Sequence, residues 1–233
     1  MTRNLFLLIG LLFTCNSAVY SQSDEIKSKL KDFNIGSELF INSLEDENAT
    51  FSFDAKITNV TSEKTSVQLA HFDPSLEEGV RWKLISVNGS TPNNKELKAF
   101  NKHHNKAPKK LKAELSDDDY WIDNENETEL VIAFRYNEDV LPHKYAFLAH
   151  CTGKLYLNKE TKRIDHVEYV NDELLHVSIF KVDKLNLTQK YQLNEEGDTY
   201  FLVEQKTVMD AILLGQSVEV IDEAVYSNYK KVK

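Results

Sequence analysis

Seven histidines, a cysteine at 151 and several groups of acids are the side chains of this sequence that could do chemistry. The histidines are His71, His103, His104, His143, His150, His166 and His176. None forms the helical His-x-x-x-His pair or the short strand pair that grips a metal ion. His103 and His104 fall at a lysine-rich helix end, the setting of a solvated surface pair. His150 and Cys151 are neighbours in what reads as a strand, so they point to opposite faces and do not coordinate jointly. Cys151 shares a face with Phe147 and Ala149, which makes it a small buried hydrophobe rather than a nucleophile. No metal site follows.

Serine catalysis would need a strained Gly-x-Ser-x-Gly elbow, and the seven glycines of the chain provide none. Phosphate-cradling glycine loops are missing too, so no cofactor is implied. Asp117, Asp118 and Asp119 lack the spaced ladder, central glycine and terminal glutamate of a calcium loop, and read as a surface turn. Asp73, Glu77 and Glu78 lie beside Trp82 and would make a glycosidase pair only if the fold set two of them face to face. Arg81-Trp82 could stack a sugar or a flat ligand; the plainer reading packs Trp82 across a strand pair and ion-pairs Arg81 with Asp73 or Glu78. No residue is assigned a catalytic role.

The elements that would position such groups begin with a leader. Arg3 precedes the apolar run 5–13, and small and polar residues follow to Ser21-Gln22, as in a signal peptide over 1–21. The run is shorter than the roughly 20 apolar residues needed to span a bilayer, and no later segment matches it. Lipidation at Cys15 is the rival reading of the leader. Loss of Arg3 would make the net charge one unit more negative than −9, a balance that repels phosphate backbones, so nucleic acid is not expected as a partner. With Cys151 then alone, no internal disulfide can form, and stability must come from a core over 22–233.

Ile26, Leu30 and Phe33, then Leu39, Phe40 and Leu44 after Gly36, predict two short helices over 23–46. Phe51, Phe53, Ala55 and Ile57 alternate with Ser52, Asp54, Lys56 and Thr58, which predicts a strand with an apolar and a polar face. Further strands are expected at 67–72 and 81–87, the latter ending at the turn Asn88-Gly89. Thr91-Pro92 should open a helix near 92–105, with Thr91 as cap and Pro92 at the first helical position. A charge-segregated connection follows, from Lys102 through Lys112 to Asp117 through Glu129, and reads as solvated or as a lid; Trp121 would anchor it to the sheet.

Leu130, Ile132, Phe134 and Tyr136 should face one way, and Val131, Ala133 and Arg135 the other. A long strand over 145–157 with a bulge or bend at Gly153 comes next, then strands at 164–170, 174–182, 185–193, 199–214 and 218–229. Their turns fall near Asn171-Asp172, Asp183-Lys184, Glu196-Gly197 and Gly215. The fold class is therefore mainly β (α+β). About ten strands form a curled antiparallel sheet or incomplete barrel with a few covering helices.

Phe72-Asp73-Pro74-Ser75, Gly79, Arg81-Trp82-Lys83-Leu84, Val87-Asn88-Gly89 and Pro92 with its short helix resemble a segment of an uncharacterised group of secreted bacterial proteins. The strand series from Gly153-Lys154-Leu155 through Arg163-Ile164 onward is similar in layout to the carriers and receptors that sort lipoproteins to the outer membrane. That resemblance implies a half-barrel whose apolar concavity is closed by helices, and a periplasmic home. It transfers no functional residue. The function expected is non-enzymatic binding of an apolar ligand, an acyl chain or lipidated peptide, against Phe51, Phe53, Trp82, Phe134, Tyr136 and Phe147. An envelope interaction module with a packed sheet and a hydrolase stand as the alternatives, and the oligomeric state is open.

Overall fold

The structure, a computed structural model, describes residues 22–33, 35, 50–62, 64–105, 119–141, 143–177, 180–197, 199–213 and 215–232. The leader 1–21 with Cys15, the second helix expected around Leu39 and Leu44, and residues 106–118 of the charged connection lie outside the described residues.

Among the described residues, eleven strands pair antiparallel in one sheet: β1 (Phe51–Thr61), β2 (Lys64–Phe72), β3 (Trp82–Val87), β4 (Tyr120–Glu125), β5 (Glu129–Phe134), β6 (Cys151–Asn158), β7 (Arg163–Asn171), β8 (Leu175–Val177), β9 (Phe180–Leu193), β10 (Tyr200–Leu213) and β11 (Gln216–Lys231). The order is β3-β2-β1-β11-β10-β9-β7-β6-β5-β4, with β8 beside β9. The sheet is curled and open, with β3 and β4 at its ends. β3, β2 and β1 join the rest through the seam between β1 and β11, where Ala55 stands opposite Tyr226 and Ile57 opposite Ala224.

Two apolar clusters sit on the inner face. Helix α1 (Gln22–Asp32) lays Ile26 and Leu30, with Phe33 just beyond it, onto Leu130, Ile132 and Phe134 of β5 and Leu155 and Leu157 of β6. Lys29 of α1 bonds Glu125 at 2.8 Å, and Lys159 bonds the same carboxylate at 2.8 Å, so α1 is tied over the β4 end. At the opposite end, α2 (Asn94–His104) buries Phe100 against Ala70, Leu84 and Val87. A bulge at Ile85 lets Leu84 and Val87 face the same way, and leaves Ile85 itself 48% exposed. At Asn88-Gly89 both residues take positive φ, +50° and +78°, and Val87 and Ser90 exchange backbone hydrogen bonds across the expected tight turn.

Several expectations are corrected. Helix α2 starts at Asn94, capped by Asn93 and not by Thr91: the Asn93 side chain accepts from the N–H groups of Lys95 and Glu96, and Glu96 accepts from the Asn93 N–H. Residues 143–150 form a 3-10 helix, not the first part of a strand, because Leu148, Phe147 and Ala149 pack onto the core from consecutive positions that a strand would send to opposite faces. Gly153 marks no bulge. It lies opposite Phe134, whose ring a Cβ would meet at 2.4 Å, so the glycine makes room for a buried aromatic.

Val131 and Ala133 are as buried as Leu130 and Ile132, so β5 is covered on both faces; Trp121 pairs with Ala133 and Tyr156 with Val131. Trp121 is thus part of a strand, β4, that the acidic surroundings concealed. The expected strand 174–182 divides into β8 and the start of β9. Asp183-Lys184 is no turn, since β9 continues through it with Asp183 as an extra residue between the pairs Lys184–Asp210 and Val182–Ala211.

Candidate functional site

Val182, Leu185, Leu187 and Ala211 belong to the main core and so define the inner face. Following their register across the pairs puts Gln205, Thr207 and Met209 of β10 on that face, with Val218, Val220, Asp222, Ala224 and Tyr226 of β11. Ile57 and Asn59 of β1 and Ser66 and Gln68 of β2 complete it. These side chains are half-buried, whereas Leu185 and Leu187 toward one flank and Ala70 and Leu84 toward the other are buried. The stretch of the inner face at the β1–β11 seam is therefore a recess between two packed clusters.

One end of this recess is aromatic. Phe53 stacks on Phe72 with ring centroids 5.0 Å apart, meets Trp82 and Tyr226 edge-on at 5.5 and 5.6 Å, and lies 5.2 Å from Tyr229. Phe201 stacks on Tyr229 at 4.3 Å and meets Phe51 edge-on at 4.8 Å. All seven rings are half-buried. Tyr229 is fixed by donating its hydroxyl to the Leu202 carbonyl. Its backbone reaches that place because Asn228, at φ +58°, is the extra residue of a bulge in β11. Trp82 is held through its backbone: its N–H donates to the Asn105 side chain at 2.9 Å, and that amide donates back to the Trp82 carbonyl at 3.0 Å.

Burial pushes the Tyr226 phenol up to about 12, with the Tyr145 phenol of the facing 3-10 helix adding to the effect. Burial drives Tyr229 and Tyr191 upward as well. Beyond the rings the floor turns polar. Gln189 donates to Gln205 at 3.0 Å, Tyr191 donates to Gln189 at 3.2 Å, and Asn59 donates to Asp222.

The six aromatic positions expected to meet a ligand fall into two groups. Phe51, Phe53 and Trp82 line the aromatic end of the recess. Phe134 and Tyr136 pack around Tyr169 inside the main core, 1% and 4% exposed, with Phe147 against the same cluster. Phe72, Tyr226 and Tyr229 join the lining unannounced; the alternation of Tyr226, Ala224 and Asp222 in one register was the available signal. Among the described residues no group of three His, Cys, Asp or Glu could hold a metal ion. Asp73 is occupied in its own loop, accepting from the Ser75 N–H and hydroxyl, and Glu77 and Glu78 are exposed beside it. Arg81 donates to the Leu76 carbonyl at 3.2 Å instead of pairing with Asp73 or Glu78.

Cys151 opens β6 and His150 ends the 3-10 helix, so the two are not strand neighbours as expected. The thiol is buried, donates to the Phe147 carbonyl, and is pushed by burial up to about 12, which keeps it protonated at neutral pH. His104 is corrected from a solvated residue to a half-buried one. Its ring stacks on Phe100 at 4.2 Å and lies 5.2 Å from Trp82.

Burial holds the His104 imidazole below its ordinary value, with the neighbouring His103 acting in the same direction. The unfolded chain then binds more protons than the native state below pH about 6.5, so this contribution is present above that pH and is lost as the pH falls through the lowered value. Acidification should therefore loosen α2 and shift Trp82 emission together. His104→Phe should flatten that part of the pH profile of stability; an unchanged profile would refute the assignment.

The fold and site together define an open, curled antiparallel sheet with helix-covered flanks and an aromatic recess at its seam. Its layout is similar to that of a LolA superfamily protein from Nitrosomonas europaea, 12% identical over 89% of this chain and 93% of that chain at a TM-score of 0.36. It is similar also to a DUF1329 family protein from Desulfovibrio piger, 7% identical over 86% of this chain and 92% of that one at a TM-score of 0.35. No family model matches the sequence, and no curated protein matches it significantly. Likeness at this level concerns strand layout and carries nothing about what is bound. Among the described residues no helix is long and apolar enough to cross a membrane.

Proposed function

We propose that residues 22–233 form a single exported, periplasmic, non-enzymatic domain, released from a signal peptide over 1–21, that binds an apolar ligand in the recess at the β1–β11 seam. An acyl chain or lipidated peptide is the ligand class. The reading rests on one observation: seven half-buried rings drawn from β1, β2, β3, β10 and β11 meet at one end of an inner face whose flanks are already filled. Phe51, Phe53 and Trp82 are the contact residues from the expected set. Binding by apolar burial gains roughly 25 cal/mol per Å², so a chain covering roughly 300 Å² gains about 7 kcal/mol before the cost of ordering.

The chain has two tryptophans, Trp82 and Trp121, so Trp121→Phe leaves a single tryptophan, in the recess. Titration of this variant with dodecanol should give a saturable blue shift of Trp82 emission with half-saturation between roughly 10 and 100 μM. Native mass spectrometry of protein taken from a cell-envelope fraction should show bound lipid. Emission that ignores the alcohol, with protein persistently empty in detergent-free preparations, would sink the reading.

A further inference from the structure

The inner face of β11 runs Val218, Val220, Asp222, Ala224, Tyr226, and a carboxylate stands third in this otherwise apolar register. Its cross-strand neighbours are uncharged, Thr207 on β10 and Asn59 on β1. Asn59 satisfies one carboxylate oxygen, and the other has no hydrogen-bond or ion-pair partner among the described residues. Lys64 and Lys231 share the inner register, but both stand exposed at strand ends, Lys64 two strands away and Lys231 nine residues further along β11. A half-buried carboxylate with a single neutral donor keeps one oxygen available for a charged partner, and a cation brought into the recess would supply one.

Resting on the reading of the recess as an apolar ligand site, we infer that Asp222 selects amphiphiles whose polar end is an ammonium and turns away those ending in a carboxylate. The spacing suits this. Tyr226 lies four residues from Asp222, roughly 13 Å along the strand, and the small Ala224 between them leaves the floor low for an alkyl chain. A carboxylate-ended chain in the same pose would set two like charges together in a partly desolvated site.

The test uses the Trp121→Phe protein, dodecylammonium, dodecanol and dodecanoate below their micelle thresholds, at pH 7 and about 0.15 M salt to screen the overall negative charge. The ammonium should bind about tenfold more tightly than the alcohol, the scale of one charge-assisted hydrogen bond partly exposed to water, and dodecanoate should bind most weakly. Asp222→Asn should abolish the preference, so that the ammonium and the alcohol bind alike. Dodecanoate binding as tightly as the ammonium, or a preference that survives Asp222→Asn, overturns the selection. The three-probe comparison in the unaltered site decides the matter even if that variant folds poorly. Alcohol binding without any preference overturns the role of Asp222 alone, whereas no binding by any of the three overturns the recess reading and this inference with it.

Discussion

Gly153→Ala should cost about 3 kcal/mol of stability, a fall in Tm of roughly 6 to 12 °C for a chain of this size. The added Cβ would meet Cζ, Cε2 and Cε1 of Phe134 at 2.4, 2.5 and 2.9 Å. That ring is 1% exposed, with Tyr136 and Tyr169 edge-on to it at 5.5 and 5.7 Å, so it has nowhere to retreat. The loss should be largely reversed in Gly153→Ala with Phe134→Leu, where the smaller side chain vacates the contested space. Thermal unfolding of the two singles and the double gives the coupling directly, and additive effects would show that the two residues do not compete for one volume.

Phe53→Ala is expected to cost about 2 to 3 kcal/mol, less than a fully buried phenylalanine would because its ring is half-buried. It should also weaken dodecanol binding at least tenfold, since Phe53 is the ring that touches Phe72, Trp82, Tyr226 and Tyr229 alike. Phe134→Leu provides the contrast. It should lower stability by a similar or smaller amount and leave the titration curve where it was, because Phe134 belongs to the packed interior. If Phe134→Leu weakens binding as much as Phe53→Ala does, the ligand lies under α1 and not at the seam.

Local pattern carried much of this architecture. The alternation from Phe51 to Thr58, the Asn88-Gly89 turn and the spacing of Ile26, Leu30 and Phe33 each describe an element whose shape depends on near neighbours, and each is found where expected. The errors have physical reasons. Asn93 and Glu96 spell a capping box, and a side chain that reaches two N–H groups outweighs the nearby Thr91-Pro92 pair. Leu130 to Phe134 is a continuous apolar run, the pattern of a strand covered on both faces, and reading it as alternating left the Trp121 side without a role.

The apolar stretch around Leu148 could be strand or helix by composition alone, and contact with the core decided it. The site was less legible. Phe53 and Tyr226 are brought together by pairing between strands more than 150 residues apart in sequence, and no periodicity reveals such a register. Asp222 did leave a trace, because an acid in the apolar register of β11 is a local inconsistency of the kind that functional positions produce.

The seam between β1 and β11 also dictates an order of assembly. Neighbouring hairpins let β5 through β10 associate as soon as they emerge from synthesis, but among the described residues β1, β2 and β3 gain their strand pairing to the rest only through Gln216–Lys231. Until that last ribbon is made, two partly finished pieces must wait side by side with unsatisfied edges, and joining them closes a loop of most of the chain. Maturation is therefore set by its slowest, most distant pairing. Phe53, Phe72 and Trp82 can meet within the first meander, but Tyr226 and Tyr229 join them only in that same final step, so a chain halted short of it would have its greasy surfaces but an incomplete place to hold a guest.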